Sequence, residues 1–132
     1  MSNEMVLIVE DEFAIAELLE MALTDGGYRV VVAANGRQGL ERLAQDPTPD
    51  LVISDFMMPV LDGARFLNAM RETEAHRNIP CIIISSVPEA SVRRHIQGYA
   101  GFIRKPFKLA DIVQLVESVL GTERQSGRET PE

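Results

Sequence analysis

Apolar residues along the chain gather into four short runs and a fifth, weaker one. The runs are Met5–Val9, Val30–Ala34, Leu51–Ser54 and Cys81–Ile84, with Gly101–Ile103 as the weak one. They are rich in Val and Ile and apolar at consecutive rather than alternating positions. That is the pattern of strands buried on both faces, as in a parallel sheet covered by helices.

The intervening stretches carry helical spacing. Ile15, Leu18, Leu19, Ala22 and Leu23 follow the i, i+3, i+4, i+7, i+8 stripe of an amphipathic helix, and Gly26-Gly27 can stop it. Leu40, Leu43 and Ala44 form a shorter stripe behind Asn35, a candidate N-cap. Ala64, Leu67 and Met70 mark a third helix, and Leu109, Ile112, Val113, Val116 and Leu120 a strong final one. A fourth helix within Glu89–Gln97 has only Val92 and Ile96 for an apolar face. Strand and helix alternate five times, which predicts one α/β domain with right-handed crossovers over residues 1–121. The stretch Thr122–Glu132 is polar, carries Gly127 and Pro131, and reads as a disordered tail.

Composition narrows the picture. A chain of 132 residues suits one domain and is short for two. The single cysteine, Cys81, excludes an intramolecular disulfide and fits a reducing compartment. No stretch approaches the ~20 apolar residues of a membrane span and no targeting segment is visible, so a cytoplasmic location is expected. The net charge is -7, from 20 acidic and 13 basic residues, and the only adjacent basic pairs are Arg93-Arg94 and Arg104-Lys105. Direct contact with nucleic acid is not expected of so scattered a basic set.

Ligands of open α/β sheets sit beyond the carboxyl ends of the strands, so the residues that close each run matter most. Glu10 and Asp11 follow the first run, Asp55 the third, Ser85 the fourth and Lys105 the fifth. Parallel pairing would bring three carboxylates, a hydroxyl and an ammonium to one edge. Carboxylates held close repel one another and become tolerable around a hard divalent cation. Mg²⁺ takes one or two of them and leaves positions for phosphate oxygens, which a lysine and a hydroxyl can neutralise and orient. A carboxylate can itself be the nucleophile, forming an acyl phosphate. Taken singly, Asp11 reads equally as an N-cap, Asp62 before Gly63 as a turn and cap residue, Ser85 as a strand-end hydroxyl and Lys105 as a surface lysine. Asp55, at the end of an apolar strand, has the weakest claim to a purely structural role.

At these residues the chain resembles the receiver domain of two-component response regulators. The matching segments are Leu7-Ile8-Val9-Glu10-Asp11-Glu12, then Asp50-Leu51-Val52-Ile53-Ser54-Asp55-Phe56-Met57-Met58-Pro59 with Asp62-Gly63, then Ile82-Ile83-Ile84-Ser85-Ser86 and Lys105-Pro106-Phe107. The resemblance runs from about Met5 to Leu120. It implies a flavodoxin-like doubly wound fold, a five-stranded parallel sheet in the order 2-1-3-4-5 with helices on both faces. It makes Asp55 the phosphoacceptor and gives Mg²⁺ (or Mn²⁺) the ligands Asp11, Asp55 and the backbone carbonyl of Met57, with Glu10 acting through water. Lys105 would pair with the phosphoryl group, and its peptide bond to Pro106 would be cis. Ser85 would be the switch hydroxyl and Phe102 the aromatic that follows it. The donor would be a sensor histidine kinase or a histidine phosphotransfer protein. An effector would be reached through the face of the fourth helix, fifth strand and fifth helix, with no membrane involved. The chain would catalyse only its own phosphorylation and slow dephosphorylation.

Glu10 stands where Asp is frequent in that family, Ser85 where Thr is, and Phe102 where Tyr is. The segment from Ser85 to Lys105 is about two residues short of the usual length, with Gly98-Tyr99-Ala100-Gly101 in place of the usual small-residue motif. A haloacid-dehalogenase-like Mg²⁺-dependent phosphatase is the rival reading. It needs a second Asp two residues after the nucleophile, where Met57 stands. A flavodoxin would carry a Ser/Thr/Gly phosphate cradle where this chain has Glu10-Asp11-Glu12-Phe13. A receiver kept only as a docking module would have lost Asp55 or Lys105.

Overall fold

The computed structural model describes residues 3–58 and 60–123. Within them β1 (Met5–Val9), α1 (Phe13–Asp25), β2 (Arg29–Ala33), α2 (Gly36–Leu43) and β3 (Leu51–Asp55) alternate, followed by α3 (Gly63–Glu72), β4 (Cys81–Ser85), α4 (Glu89–Arg93), β5 (Gly101–Arg104) and α5 (Leu109–Glu123). The strands are parallel and ordered β2-β1-β3-β4-β5, as the receiver resemblance implies.

Consecutive apolar positions are explained by two cores, because successive strand residues point to opposite faces. Val6, Ile8, Leu51, Ile53, Ile82 and Ile84 pack on one side with Leu19, Leu23, Ile112 and Val116 of α1 and α5. Leu7, Val9, Val52 and Ile83 pack on the other with Leu43, Phe66, Leu67, Met70 and Val92 of α2, α3 and α4. The register places Val9 beside Ser54, Asp55 beside Ile84 and Ser85 beside Arg104, so four strands end on nearly one line.

The caps behave as local chemistry dictates. Asn35 accepts from Gln38 N–H and Asp62 from Arg65 N–H, both at 2.9 Å, satisfying donors at the starts of α2 and α3. Gly39 is needed for contact, since a Cβ there would lie 2.8 Å from the Phe66 ring and 3.0 Å from Val9. That close approach presses α2 onto the helix beside it and onto the sheet.

Several expectations are corrected. Leu18 is half exposed and Ala22 only partly buried, whereas Ala16 joins Leu19 and Leu23 in the core. The buried arc of α1 is thus narrower than its apolar stripe. Ala44 lies outside α2 and is exposed, and Gly36 and Gly39 supply buried positions that a search for bulky residues overlooks. Phe66, fully buried on α3, was absent from the expected stripe. β2 is an edge strand and only partly buried, with Val32 exposed. α4 spans only Glu89–Arg93, so Val92 alone is its buried apolar residue, and Ile96, also buried, lies in the segment after it. α5 continues through Thr122 and Glu123; the rest of the expected tail lies outside the described residues. No helix among the described residues is long and apolar enough to cross a membrane.

Candidate functional site

The carboxyl ends of the strands bring the polar residues together. Glu10 leaves β1 with its N–H donating to Ala33 O at 3.1 Å, and its side chain is almost fully buried. Its Oε2 accepts the Glu12 N–H at 3.1 Å. Glu12, not Asp11, occupies the N-cap of α1 and makes no side-chain cap bond, so the reading of Asp11 as a cap falls away. Asp11 stands exposed at the mouth, free of a helix-capping duty.

Asp55 closes β3 and is 5% exposed. The following residue, Phe56, donates its N–H to Ile84 O at 2.8 Å and accepts from Gly63 N–H at 2.8 Å, folding the β3–α3 connection back over the strand end. Only a glycine tolerates that return: a Cβ on Gly63 would lie 2.5 Å from Asp55 O and 2.8 Å from Phe56 Cα.

Lys105 follows β5, with a cis bond to Pro106, and its N–H donates to Ser85 O at 2.8 Å. Its ammonium donates to Asp55 Oδ2 at 3.1 Å and lies 3.4 Å from Glu10 Oε1 and 3.5 Å from Glu12 Oε1. Glu12 is a member of this cluster that sequence reasoning missed; its place in the acidic triplet was the available signal.

Carboxylate oxygens of Glu10, Asp11 and Asp55 lie within 4.8 Å of one another. One ammonium cannot balance three such groups, and the titration behaviour follows. Burial first, and then the charge of Asp55, push Glu10 up to about 7. Burial raises Asp55 as well, against the opposing pull of Lys105. Burial by itself would lower Lys105, but Asp55 and Glu10 outweigh it and hold the ammonium above its ordinary value. Glu10 Oε1 is buried and accepts no hydrogen bond, although Lys105 stands at ion-pair distance. A shortage of positive charge and an orphaned carboxylate oxygen are what a hard cation would correct. The donor set of Glu10, Asp11 and Asp55 therefore fits a divalent metal.

The remaining expected residues are placed less directly. Met57, in the loop after Asp55, is 58% exposed. Ser85 is fully buried at the same edge, but its hydroxyl donates to Val87 O and accepts the Val87 N–H, both at 2.9 Å. The hydroxyl thus serves the β4–α4 loop and makes no hydrogen bond to Asp55. Phe102 is half-buried on the α4 side of β5, its ring 6.3 Å from that of Tyr99.

Beside Lys105 the surface turns apolar. A cavity of about 430 Å³ is lined by Ile15, Leu18, Pro106, Phe107 and Leu109, and Phe13 and Met21 of α1 are exposed nearby in the chain.

The profile of the response regulator receiver domain matches residues 6–117. Response regulator Rre1 of Synechocystis is 33% identical over 126 residues, covering 92% of this chain and 53% of its own length. The chain spans between a quarter and about half of the curated relatives it matches. The signal receiver domain of a histidine kinase from Syntrophus aciditrophicus superposes with a TM-score of 0.83 at 33% identity, covering 93% of this chain and 94% of that one. The receiver domain of a sensor histidine kinase from Pseudomonas aeruginosa, with a magnesium ion coordinated in its active-site cleft, gives 0.82 at 28% identity, covering 91% and 99%.

Proposed function

Since this chain belongs to the family of response regulator receiver domains, we propose that Asp55 is its phosphoacceptor, that Asp11 and Asp55 hold Mg²⁺ with the Met57 carbonyl and that Glu10 assists through water. The observation that carries this reading is the placement of Asp55 Oδ2 3.1 Å from Lys105 Nζ inside the cluster of three carboxylates. The magnesium seen in the related Pseudomonas cleft supports the choice of metal.

The transfer needs little from the protein beyond position and charge. An oxygen of the Asp55 carboxylate attacks phosphorus as the P–N bond of a donor phosphohistidine breaks, and the electron pair leaves with the imidazole. The product is an aspartyl phosphate. A divalent cation held by Asp11 and Asp55 would supply positive charge to the phosphoryl oxygens. Lys105 neutralises a further oxygen from the position it already holds against Asp55. The apolar surface at Ile15, Leu18 and Phe107 borders Lys105 and suits a helix of the histidine kinase or phosphotransfer protein that presents the phosphohistidine. Output to an effector leaves through the face of α4, β5 and α5, with Ser85 and Phe102 as the switch pair. The receiver domain, which α5 extends to Glu123, catalyses only its own phosphorylation and slow dephosphorylation, in the cytoplasm.

Incubation with acetyl phosphate and Mg²⁺ tests the assignment. Intact mass should rise by one phosphoryl group, labile to base and absent in Asp55→Asn. Retained labelling in that variant would overturn it.

A further inference from the structure

The N-cap residue of α1 makes no bond to its own helix. Glu12 holds that position, and its carboxylate is turned away from the helix start. Its Oε1 lies 3.5 Å from the ammonium of Lys105, 93 positions further along the chain. The Glu12 N–H meanwhile donates to Glu10 Oε2 at 3.1 Å, which ties the β1–α1 loop to the buried floor of the site. Backbone and side chain of one residue thus reach two different members of the charged cluster.

Three carboxylates share the Lys105 ammonium, and they differ in their access to solvent. The side chains of Glu10 and Asp55 are 1% and 7% exposed, that of Lys105 is 17% exposed and that of Glu12 60%. Glu12 therefore stands on the open side of the cluster, where a phosphodonor enters. It is not one of the trio of Glu10, Asp11 and Asp55 whose oxygens suit a metal. A cation among those three would leave the charge of Glu12 balanced by Lys105 alone. Once Lys105 turns to a phosphoryl oxygen, that balance is lost and a bare carboxylate faces the donor.

We propose that Glu12 is a specificity-determining residue that favours phosphodonors with a cationic nitrogen as leaving group, a protonated phosphoramidate or phosphoimidazole, over acyl phosphates. This rests on the reading of Asp55 as phosphoacceptor and adds a selection at the mouth of the same site. In-line attack puts the leaving group on the side of phosphorus away from Asp55, towards the open side where Glu12 stands. With a nitrogen donor, the bond from an Asp55 oxygen to phosphorus forms as the P–N bond breaks. The electron pair goes to nitrogen, which departs as a neutral amine or imidazole. Part of its positive charge is still present in the transition state, and Glu12 attracts it. With an acyl phosphate the P–O bond breaks instead, and the pair leaves on a carboxylate whose growing negative charge Glu12 repels. Unit charges about 6 Å apart in a water-like dielectric change a rate by about threefold.

The probes are phosphoramidate and acetyl phosphate at saturating Mg²⁺, with labelling of the full chain followed by intact mass. The quantity read is the ratio of the two second-order rate constants, phosphoramidate over acetyl phosphate. Glu12→Gln should lower that ratio about threefold and Glu12→Lys about tenfold, chiefly by raising the acetyl phosphate rate. Added salt should lower the ratio in the unaltered chain and leave it nearly constant in Glu12→Gln. Calorimetry should find the Mg²⁺ affinity of Glu12→Gln within about twofold of the unaltered chain, which places the effect on the donor and not on the metal. An identical ratio in all three chains, or rates that move in parallel for both donors, would reduce Glu12 to a support for Lys105 and overturn the proposal. So would a ratio that follows a change in Mg²⁺ affinity. Failure of both donors to label the unaltered chain would overturn the phosphoacceptor reading itself, and this proposal with it.

Discussion

The ring of Phe56, the residue after Asp55, lies 5.9 Å from the imidazole of His95 at an interplanar angle of 44°. The loop leaving Asp55 therefore meets the turn that ends α4. A second route runs through Ser85, whose hydroxyl is tied to the Val87 backbone in the loop that starts α4. α4 itself is five residues long, with Val92 its one buried residue and Ile96 buried just past its end. An element with so little buried surface opens at low cost and can hold two arrangements. Beryllofluoride, which mimics the acyl phosphate, should change hydrogen exchange mainly in residues 85–104, and Ser85→Ala should blunt the response. Changes confined to the surroundings of Glu10 and Asp55 would show that no such switch operates.

Glycine at position 63 is a steric requirement of the site. The Cβ of an alanine there would meet Asp55 O at 2.5 Å and Phe56 Cα at 2.8 Å, and both of those atoms belong to backbone that cannot swing aside. Gly63→Ala should cost about 1–3 kcal/mol in urea unfolding and displace the Asp55 strand end, lowering the rate of labelling by acetyl phosphate. A variant with unchanged stability and rate would mean that the loop yields more easily than its packing indicates.

The raised Glu10 gives the metal-free chain a particular dependence on pH. Folding lifts this carboxyl from 4.5 to about 7, so the folded state holds the proton more tightly than the unfolded state. Stability from this group is therefore full below about 4.5 and declines as pH climbs towards 7. Asp55 is shifted in the same direction. Thermal unfolding in EDTA should show Tm falling across that window. Mg²⁺ should flatten the fall, because it binds the ionised cluster and releases protons. Glu10→Gln should remove most of the slope; a Tm rising with pH in the unaltered chain would contradict the assignment.

The lifetime of the phosphorylated state should be long. Hydrolysis needs a water aligned behind phosphorus, and Met57 and Val87, each two residues past a site residue, offer it no hydrogen bond from their side chains. Met57 is exposed, so a polar residue there would fit without repacking. Met57→Asn should hasten dephosphorylation by a factor on the order of a few. A rate equal to or slower than that of the unaltered chain would count against this role for the position.

The sequence by itself determined the order of elements, the parallel sheet and which strand ends would carry chemistry. Runs such as Leu51–Ser54 and Cys81–Ile84 are apolar on consecutive positions, and that pattern has few physical solutions besides a strand covered on both faces. Local rules were equally legible at Asn35 and Asp62, whose caps depend on residues three positions away. What only the tertiary structure decided were relations between distant segments of the chain. Glu12 reaching Lys105, Tyr99 reaching Glu89 and Phe56 reaching His95 leave no periodic trace, because each depends on where two separate segments meet. The buried share of the α1 stripe, and the glycines that let α2 and the β3–α3 loop come close, were settled the same way. Spacing tells which residues share a face; how much of that face is covered depends on the neighbour that packs against it.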